Sequence, residues 1–287
     1  MIKENQATCI FKNEKVIYTS YVNEFTPDLY EEFDQNAKKL GLLSKIDDLF
    51  NGEELNFTES IAAWHPKYRA EYNPNESDTP SHKGQHSELL NFYDLCNEAI
   101  NIVIIGIGGS FEGPKMLLEN LELNQADNNF IFITGSDLSE FRIKTNKLRP
   151  EDTIFLVLSK SFVTQETISL LEEAIFWSGD INKFVAITAN KEEAKKFNIK
   201  CILEFDDQIG GRYSIWSEIS VLIKWLSKES FDNFMAGGKQ ADNDLKDNED
   251  YLKFVKTLAY SDIWLHNYKN KNSRAILSYI WCWRSFP

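Results

Sequence analysis

Three short turns carry most of the side chains in this sequence that could bind an anion. They span residues 106–114, 159–167 and 206–214, and together they hold glycines, hydroxyls, a lysine and an arginine. Glycine turns bring backbone N–H groups close to a ligand, hydroxyls donate hydrogen bonds, and Lys or Arg supplies positive charge. If the fold gathers these turns at one edge, we expect a site for a small, oxygen-rich anion.

The first turn is rich in glycine, so its backbone can turn tightly against a ligand, and Ser110 adds a hydroxyl. A dinucleotide-binding GxGxxG motif would require glycine where the chain has Phe111. A P-loop would require Gly-Lys where the chain has Gly113 followed by Pro114. We therefore expect no nucleotide and no other cofactor. A turn that merely connects a strand to a helix stays an alternative.

The second turn brings hydroxyls and an ammonium to the start of a predicted helix. Ser159, Lys160, Ser161 and Thr164 are candidates for phosphate binding. Their side chains, the exposed N–H groups of the helix start and the helix dipole can converge on one phosphate. Ser and Thr are also favourable N-cap residues, so simple helix capping stays an alternative.

The third turn contains Gly210, Gly211 and Arg212. Such a turn can direct a guanidinium into a cleft, where its permanent charge can stabilise a developing oxyanion. The alternative is a surface ion pair between Arg212 and Asp206 or Asp207. A helix is predicted directly after this turn. Its apolar face comprises Ile215, Trp216, Ile219, Leu222, Ile223 and Leu226.

The histidines give little support for a metal site. His65 stands beside Trp64, and we expect it to be a packed, hydrogen-bonded residue rather than a ligand. His82 and His86 flank Gly84 in a segment typical of a loop, so their spacing need not place them on one helix face. We expect no bound metal.

Five short apolar runs must position the three turns. They are rich in Ile, Val and Phe without polar alternation, as in strands covered on both faces. The runs are 102–105, 130–133, 154–158, 184–187 and 201–205. With helices predicted over 115–122 and 164–177, the pattern indicates an α/β fold with a five-stranded parallel sheet flanked by helices. Ligands bind at the carboxyl ends of such strands, where all three turns occur.

The residues before the sheet predict a mainly helical segment. A hairpin is expected to pair residues 10–11 with 16–18, and a helix to run from a cap at Thr26 to Gly41. The apolar face of this helix comprises Leu29, Phe33, Ala37 and Leu40. Residues 66–84 are rich in Pro, Asn, Ser and Asp, which predicts a surface loop, and a second helix is expected from Ser87.

Composition narrows the class of partner. The formal net charge of −13 over 287 residues argues against nucleic acid or an anionic membrane as the main partner. The sequence shows neither a secretory signal nor an apolar run of membrane-spanning length, so we expect a cytoplasmic protein. Scattered cysteines without a CxxC pair are expected to be reduced packing residues. They are Cys9, Cys96, Cys201 and Cys282.

The three turns resemble the signature segments of the glucose-6-phosphate isomerase family, in the same order, at 106–114, 159–167 and 210–217. Weaker similarity extends to Asn56, Thr58, Glu59, His65, Arg69, Phe234, Gly237 and Asp242. The resemblance implies two sugar isomerase (SIS-type) domains. We expect a mainly helical segment over 1–95, the first such domain over 96–230, and a connection with the start of an incomplete second domain over 231–287.

The resemblance also implies a role for each candidate residue. Gly109 and Ser110 would contact the sugar, and Gly211 and Arg212 would lie beside the reacting carbons. The phosphate would be held by Ser159, Lys160, Ser161 and Thr164. Ser161 stands where the family usually has Thr and keeps the hydroxyl, whereas Val163 replaces a common Thr and removes one. The stretch 60–64 departs further from the family pattern, which leaves the role of His65 open.

The family interconverts glucose 6-phosphate and fructose 6-phosphate through a cis-enediol, in glycolysis and gluconeogenesis. Its glutamate base follows a segment similar to 275–279, and this sequence ends at Pro287 before that base. The family's ring-opening histidine and C-terminal lysine also have no counterpart, so we expect the chain alone to be inactive. Glu166 is expected to orient Lys160 or its turn rather than to replace the base.

The resemblance implies a hexose phosphate substrate and a homodimer for the full-length protein. Two other functions stay open. One is a non-catalytic module that binds or senses sugar phosphates, and the other is a different phosphosugar isomerase with the same fold.

Overall fold

The computed structural model describes residues 9–12, 17–22, 24–84, 86–120 and 127–271. Within them the strands are β1 (Cys9–Lys12), β2 (Ile17–Ser20), β3 (Asn101–Gly106), β4 (Asn129–Ile133), β5 (Thr153–Leu158), β6 (Phe184–Thr188) and β7 (Cys201–Glu204). The helices are α1 (Pro27–Lys39), α2 (Leu42–Asn51), α3 (His65–Glu71), α4 (His86–Glu98), α5 (Gly109–Asn120), α6 (Leu138–Thr145), α7 (Gln165–Ser178), α8 (Lys191–Lys195), α9 (Val221–Leu226), α10 (Lys228–Asp247) and α11 (Glu249–Asn267).

The described residues divide into two compact units. One comprises residues 47–240, and the other combines the described parts of 1–46 and 241–287. These boundaries differ from the predicted ones at 95 and 230, and the three-part domain division stays a prediction. Predictions for Cys282 and for residues 275–279 lie outside the described residues.

The larger unit contains the predicted five-stranded sheet, in the order β4-β3-β5-β6-β7, and all of its pairings are parallel. The apolar runs are confirmed as β3 to β7, each end within one residue of the predicted position. After β3 the chain passes to β4 on one side and then returns to β5 on the other. The carboxyl ends of β3 and β5 therefore flank the point where the strand order reverses, which is where parallel sheets bind ligands.

The core lies on both faces of this sheet. Alternation along β3 directs Ile102 and Ile104 into one apolar cluster and Val103 and Ile105 into another. All of these side chains are completely buried, which explains why the strands lack polar alternation. Two predicted packing cysteines, Cys96 and Cys201, are free and buried in the first cluster, where burial raises the pKa of both thiols.

Two predictions within the larger unit are corrected. Residues 66–84 are not wholly a loop, because α3 starts at His65 and a 3-10 turn forms over Pro80–His82. Proline fits the first turn of a helix, so Pro66 begins α3 rather than preventing it. The helix predicted after the third turn is replaced by 3-10 turns over Gly211–Trp216 and Glu218–Ser220, followed by the short α9.

Ser217 separates these two 3-10 turns. Its backbone is extended, with φ −153° and ψ −169°, and its side chain accepts a hydrogen bond from the N–H of Ile219 at 3.3 Å. An extended residue cannot continue an α-helix, so the apolar periodicity beyond 215 overstates helix length. The predicted helix over 115–122 starts earlier, at Gly109, and residues 121 and 122 lie outside the described residues.

The smaller unit contains the β1-β2 hairpin, which is antiparallel as predicted, and helices α1 and α11. Thr26 caps α1, and Gly41 follows its end with φ 71°, as the sequence indicated. Leu40 does not share the apolar face, since it is 81% exposed beyond the end of α1. Phe25, Tyr260 and Trp264 form the buried centre of this unit. None of the helices in the described ranges combines the length and apolar character needed to cross a membrane.

Candidate functional site

A cavity of about 280 Å³ opens at the carboxyl ends of β3 and β5. It is lined by Glu59, Ile107, Gly109, Ser110, Leu158, Ser159, Lys160, Ser161, Thr164, Thr167 and Gly211. Seven of the eight predicted site residues are therefore together around one cavity, and Arg212 is the eighth. All three turns contribute to its wall, as expected for turns that follow neighbouring strands.

The first and third turns meet at Gly109 and Gly211. A Cβ atom on Gly109 would overlap the carbonyl oxygen of Gly211 and would lie 3.1 Å from Ser214 Oγ. Only glycine permits this backbone approach. Gly108 has φ 56°, a conformation that also favours glycine, and it allows α5 to start directly after β3. The glycines of the first turn thus join two walls of the cavity.

The second turn is held in place by its own backbone and by β6. Ser159 N–H donates to Ile187 O at 3.1 Å, and Lys160 O accepts from the N–H of Ala189 at 3.0 Å. Phe162 adopts φ 54° and is almost fully buried. A bulky residue in this left-handed conformation is strained, and burial of its ring compensates for the strain. These contacts hold the turn that presents the hydroxyls.

The hydroxyls of this turn keep donors that an anion could use. Ser159 Oγ accepts from the N–H of Phe162 at 3.1 Å, and Ser161 Oγ accepts from Val163 at 3.4 Å. Because a hydroxyl accepts and also donates, each O–H remains able to reach a ligand. Thr164 occupies the N-cap position of α7 without making a side-chain capping bond. Simple capping therefore does not account for Thr164.

Lys160 lies closer to Glu59 than the sequence suggested. Its Nζ is 3.7 Å from Glu59 Oε2, and both side chains line the cavity. Among the described contacts the ion-pair partner of Lys160 is Glu59 rather than Glu166. The other part of the expectation, that Glu166 orients the turn, stays a prediction. Glu59 was noted in the sequence only for its family similarity, because it comes from a turn more than a hundred residues before Lys160.

Arg212 follows Gly211 but does not line the cavity. Its side chain is exposed, and it makes no ion pair with any described residue. The alternative of a surface pair with Asp206 or Asp207 is not seen among these residues, where Asp206 instead contacts Lys67 Nζ at 3.1 Å. Arg212 therefore carries a solvated guanidinium at the edge of the third turn.

Residues missed at the sequence level also support the site. Thr167 lines the cavity and is buried, three residues after Thr164 on the same face of α7. This spacing was available in the sequence.

His65 stacks on Tyr213 of the third turn, with ring centroids 4.1 Å apart and 10° between the planes. The stacking agrees with the predicted packing of His65 against the third turn, whereas its predicted hydrogen bonding and its role toward a ligand stay predictions.

A buried carboxylate lies beneath the third turn. Glu218 is fully buried, and its Oε1 accepts from Tyr68 O–H at 3.3 Å and lies 3.6 Å from His82 Nδ1. Burial, followed by the charge and hydrogen bond of Glu218, raises the pKa of Tyr68 well above its ordinary value. His82 Nε2 accepts from Glu204 N–H at 3.3 Å, so its proton is on Nδ1, facing Glu218. These contacts connect α3, β7 and the third turn.

A larger cavity, of about 460 Å³, lies near the end of β7. Its lining includes Lys67 and four carboxylates, Glu71, Glu204, Asp206 and Asp207. The charged residues of this lining are mostly acidic and repel an anion, whereas among the described residues the smaller cavity combines five hydroxyls with one ammonium and one carboxylate. By volume the larger cavity would be the better candidate for a ligand site, but by charge the smaller cavity is the better candidate for an anion site. In the described parts of the chain, no cluster of His, Cys, Asp and Glu is arranged to hold a metal ion.

The parallel sheet, its strand order and the cavity at the reversal point are those of a doubly wound α/β fold, as expected for a sugar isomerase (SIS-type) domain. A family model described as phosphoglucose isomerase matches residues 21–287. The chain belongs to the phosphoglucose isomerase family.

Known proteins agree with this assignment. The chain is 30% identical over 307 aligned residues to a glucose-6-phosphate isomerase of Neurospora crassa, with 95% of this chain and 54% of the relative covered. A glucose-6-phosphate isomerase structure from Chlamydia trachomatis aligns with TM-score 0.68 at 21% identity, covering 83% of this chain and 50% of that one. A hypothetical protein from Thermus thermophilus aligns with TM-score 0.59 at 20% identity, covering 84% and 55%.

At these identities the structural matches establish the fold. The chain spans about half the length of the curated relative, at 54%.

Proposed function

We propose that this chain supplies the phosphosugar-binding half of an isomerase that interconverts glucose 6-phosphate and fructose 6-phosphate. The observation that carries the proposal is the smaller cavity, where hydroxyls from two turns and the Lys160 ammonium face one space. Family membership supports sugar-phosphate isomerisation as the class of reaction.

The phosphate group is proposed to bind at the second turn. Ser159, Ser161 and Thr164 would donate O–H groups, and Lys160 would supply charge. The helix α7 begins at Gln165, so its positive dipole end faces the same space. The sugar hydroxyls would then reach the first turn, where Gly109 and Ser110 line the cavity.

Charge stabilisation is the proposed role of Arg212. Proton transfer between carbon 2 and carbon 1 passes through an enediolate, whose negative oxygen requires a nearby cation. Arg212 follows Gly211 at the edge of the cavity, and its long side chain is exposed rather than held in an ion pair among the described residues. We infer that it turns toward the substrate when the sugar binds.

Among the described residues, the cavity has no carboxylate placed to take a proton from the reacting carbons of the sugar. Glu59 is the carboxylate that lines it, and Glu59 lies beside Lys160, at the end proposed for phosphate. The reacting carbons would be at the opposite end of the sugar. We therefore expect the 287-residue chain to bind hexose phosphate without turning it over, and a coupled assay of fructose 6-phosphate formation measures this directly.

Isothermal titration calorimetry with glucose 6-phosphate tests the proposed site. Replacing both Ser159 and Ser161 with Ala removes two hydrogen bonds to a charged group, each of which contributes about 1.5–3 kcal/mol. We expect the affinity to fall by at least roughly 100-fold, since 1.4 kcal/mol corresponds to a factor of ten. Glucose, which lacks the phosphate, should not bind measurably.

Ser178→Ala is the matched control, because Ser178 is the last residue of the same helix and its hydroxyl contacts Asp180 O. It should bind like the unchanged chain. Equal binding by the double variant would contradict the proposed phosphate site. Turnover by the unchanged chain would contradict the expected lack of a base.

Three wider aspects of the function are part of the same proposal. They are a role in glycolysis and gluconeogenesis, a location in the cytoplasm, and a homodimer for the full-length protein. Light scattering of the full-length protein measures the last of these.

A further inference from the structure

The smaller cavity contains two opposite charges that lie side by side. Lys160 and Glu59 are the charged side chains that line it within the described residues. Lys160 Nζ lies 3.7 Å from Glu59 Oε2, and the two side chains are 25% and 57% exposed. A carboxylate beside the ammonium of an anion site opposes the binding of that anion.

The position of Glu59 does not depend on Lys160. Its Oε2 accepts from Asn56 Nδ2 at 3.3 Å, and Asn56 Oδ1 accepts from Thr58 O–H at 2.7 Å. The N–H of Glu59 donates to Asn56 O at 3.2 Å, and an isolated bridge joins Asn56 to Ile61. This turn therefore presents the carboxylate to the cavity by its own hydrogen bonds.

The contact between Lys160 and Glu59 would allow a phosphate to take the place of the carboxylate. A separation of 3.7 Å is too long for a hydrogen bond, so the two groups attract by charge alone. The backbone of Lys160 is fixed, because its carbonyl accepts from Ala189 N–H at 3.0 Å and from Thr188 O–H at 3.1 Å. Only its side chain can move toward a ligand, and no strong bond to Glu59 has to break.

We propose that Glu59 is the resident counter-ion of Lys160, holding its ammonium at the cavity and opposing the phosphate that replaces it. This inference rests on the proposed function. It makes Glu59 a positioning residue that sets affinity, distinct from the hydroxyls and the lysine that bind. A counter-ion of this kind weakens phosphosugar binding and so favours release of the bound phosphosugar.

The test compares glucose 6-phosphate and inorganic phosphate binding to the 287-residue chain and to Glu59→Gln, by calorimetry at low salt. Glutamine keeps the shape of Glu59 and its bond to Asn56 but removes the charge. In the unchanged chain the Glu59 carboxylate repels the phosphate dianion. Across about 6 Å of water, with partial salt screening, loss of this repulsion predicts roughly 3- to 10-fold tighter binding of both ligands to Glu59→Gln. The gain should nearly vanish at 1 M salt, where the screening length is about 3 Å.

Glu119→Gln is the matched control. Glu119 pairs with Lys115 Nζ at 3.8 Å, with side chains 44% and 35% exposed, and it is near the end of α5 rather than at the cavity. This variant should bind like the unchanged chain. Lys160→Ala should bind both ligands at least about 10-fold more weakly, as expected when a charged partner is removed.

The outcomes separate this inference from the proposed function. Equal or weaker phosphate binding by Glu59→Gln, with normal binding by the unchanged chain, would overturn the counter-ion role and leave the phosphate site intact. A gain that persists at 1 M salt would also overturn it, because a charge effect must be screened. If neither the unchanged chain nor the variant bound phosphate or glucose 6-phosphate, the proposed function and this inference would fall together.

Discussion

Asp34, in the smaller unit, is a buried carboxylate surrounded by donors. Lys38 Nζ lies 2.8 Å from Oδ2, and Lys256 Nζ lies 2.9 Å from Oδ1, which also accepts from Tyr260 O–H at 3.2 Å. Burial raises the pKa of Asp34, but the hydrogen bonds from Lys38 and Lys256 outweigh it and lower the pKa to about 2. Asp34 thereby ties α1 to α11.

Replacement of Asp34 by Asn should make the chain less stable in a pH-dependent way. The folded pKa of about 2 lies below the ordinary 3.8, so folding favours the ionised form and Asp34 contributes about 2 kcal/mol at neutral pH. That contribution is complete above about pH 5 and is lost as the pH falls toward 2. Urea unfolding at pH 7, 5 and 3 measures it.

The difference in unfolding free energy between the unchanged chain and Asp34→Asn should be the same at pH 7 and pH 5, and should fall to about half at pH 3, which lies between the folded pKa of about 2 and the ordinary 3.8. Asp28→Asn, at an exposed position in the first turn of the same helix, serves as the control and should differ only slightly. A gap that is constant with pH would contradict the ionic role of Asp34.

Residue types and order were enough to predict most of the residues that line the candidate cavity. Ser159, Ser161 and Thr164 directly follow an apolar run, so local sequence assigns them to the end of a strand. Glu59 and its contact with Lys160 could not be derived in that way, because the contact depends on where a distant turn folds back. The exposed position of Arg212 also depends on the 3-10 geometry of its turn, which carries no sequence periodicity.

At the scale of elements, the close approach of the first and third turns holds the cavity together. Gly109 packs its backbone against Gly211, and Gly113 lies against Ile215. A methyl group at Gly109 would overlap the Gly211 carbonyl oxygen, and this obstacle is backbone rather than a flexible side chain. The two turns would have to separate to accept it.

Gly109→Ala should therefore open the cavity wall. We expect a loss of about 1–3 kcal/mol in unfolding free energy, typical of overpacking, and at least roughly 10-fold weaker glucose 6-phosphate binding. Gly237→Ala is the control, since Gly237 is in α10 with no atom within 4 Å of the added Cβ. It should be neutral or stabilise by about 0.5–1 kcal/mol, as alanine does in a helix. Normal binding by Gly109→Ala would contradict the joined-turn geometry.

Elements with a strong apolar pattern could be predicted from the sequence. Elements whose start or end is set by the backbone conformation of a single residue could not. The strands β3 to β7 follow from uninterrupted apolar runs because both faces of the sheet are covered. Helix α3 was missed because Pro66, usually a loop signal, occupies its first turn. The helix after the third turn was overestimated because the extended Ser217 interrupts it without changing the apolar spacing.

At the scale of the whole molecule, the binding of an anion must overcome the protein's own charge. The net charge is −13, and the charged residues that line the larger cavity are four carboxylates and Lys67. The proposed phosphate binding would therefore depend on local donors among the described residues, namely hydroxyls, the start of α7 and the ammonium of Lys160. The proposed counter-ion Glu59 would weaken the attraction between that ammonium and a phosphate.

A crystal structure of the chain soaked with glucose 6-phosphate is the most direct test of the central claim, that the three turns form one phosphosugar site. We predict phosphate oxygens within hydrogen-bonding distance of the Ser159, Ser161 and Thr164 hydroxyls, with the sugar extending toward Gly109 and Gly211. A phosphate bound in the larger acidic cavity, or anywhere away from the second turn, would contradict the claim.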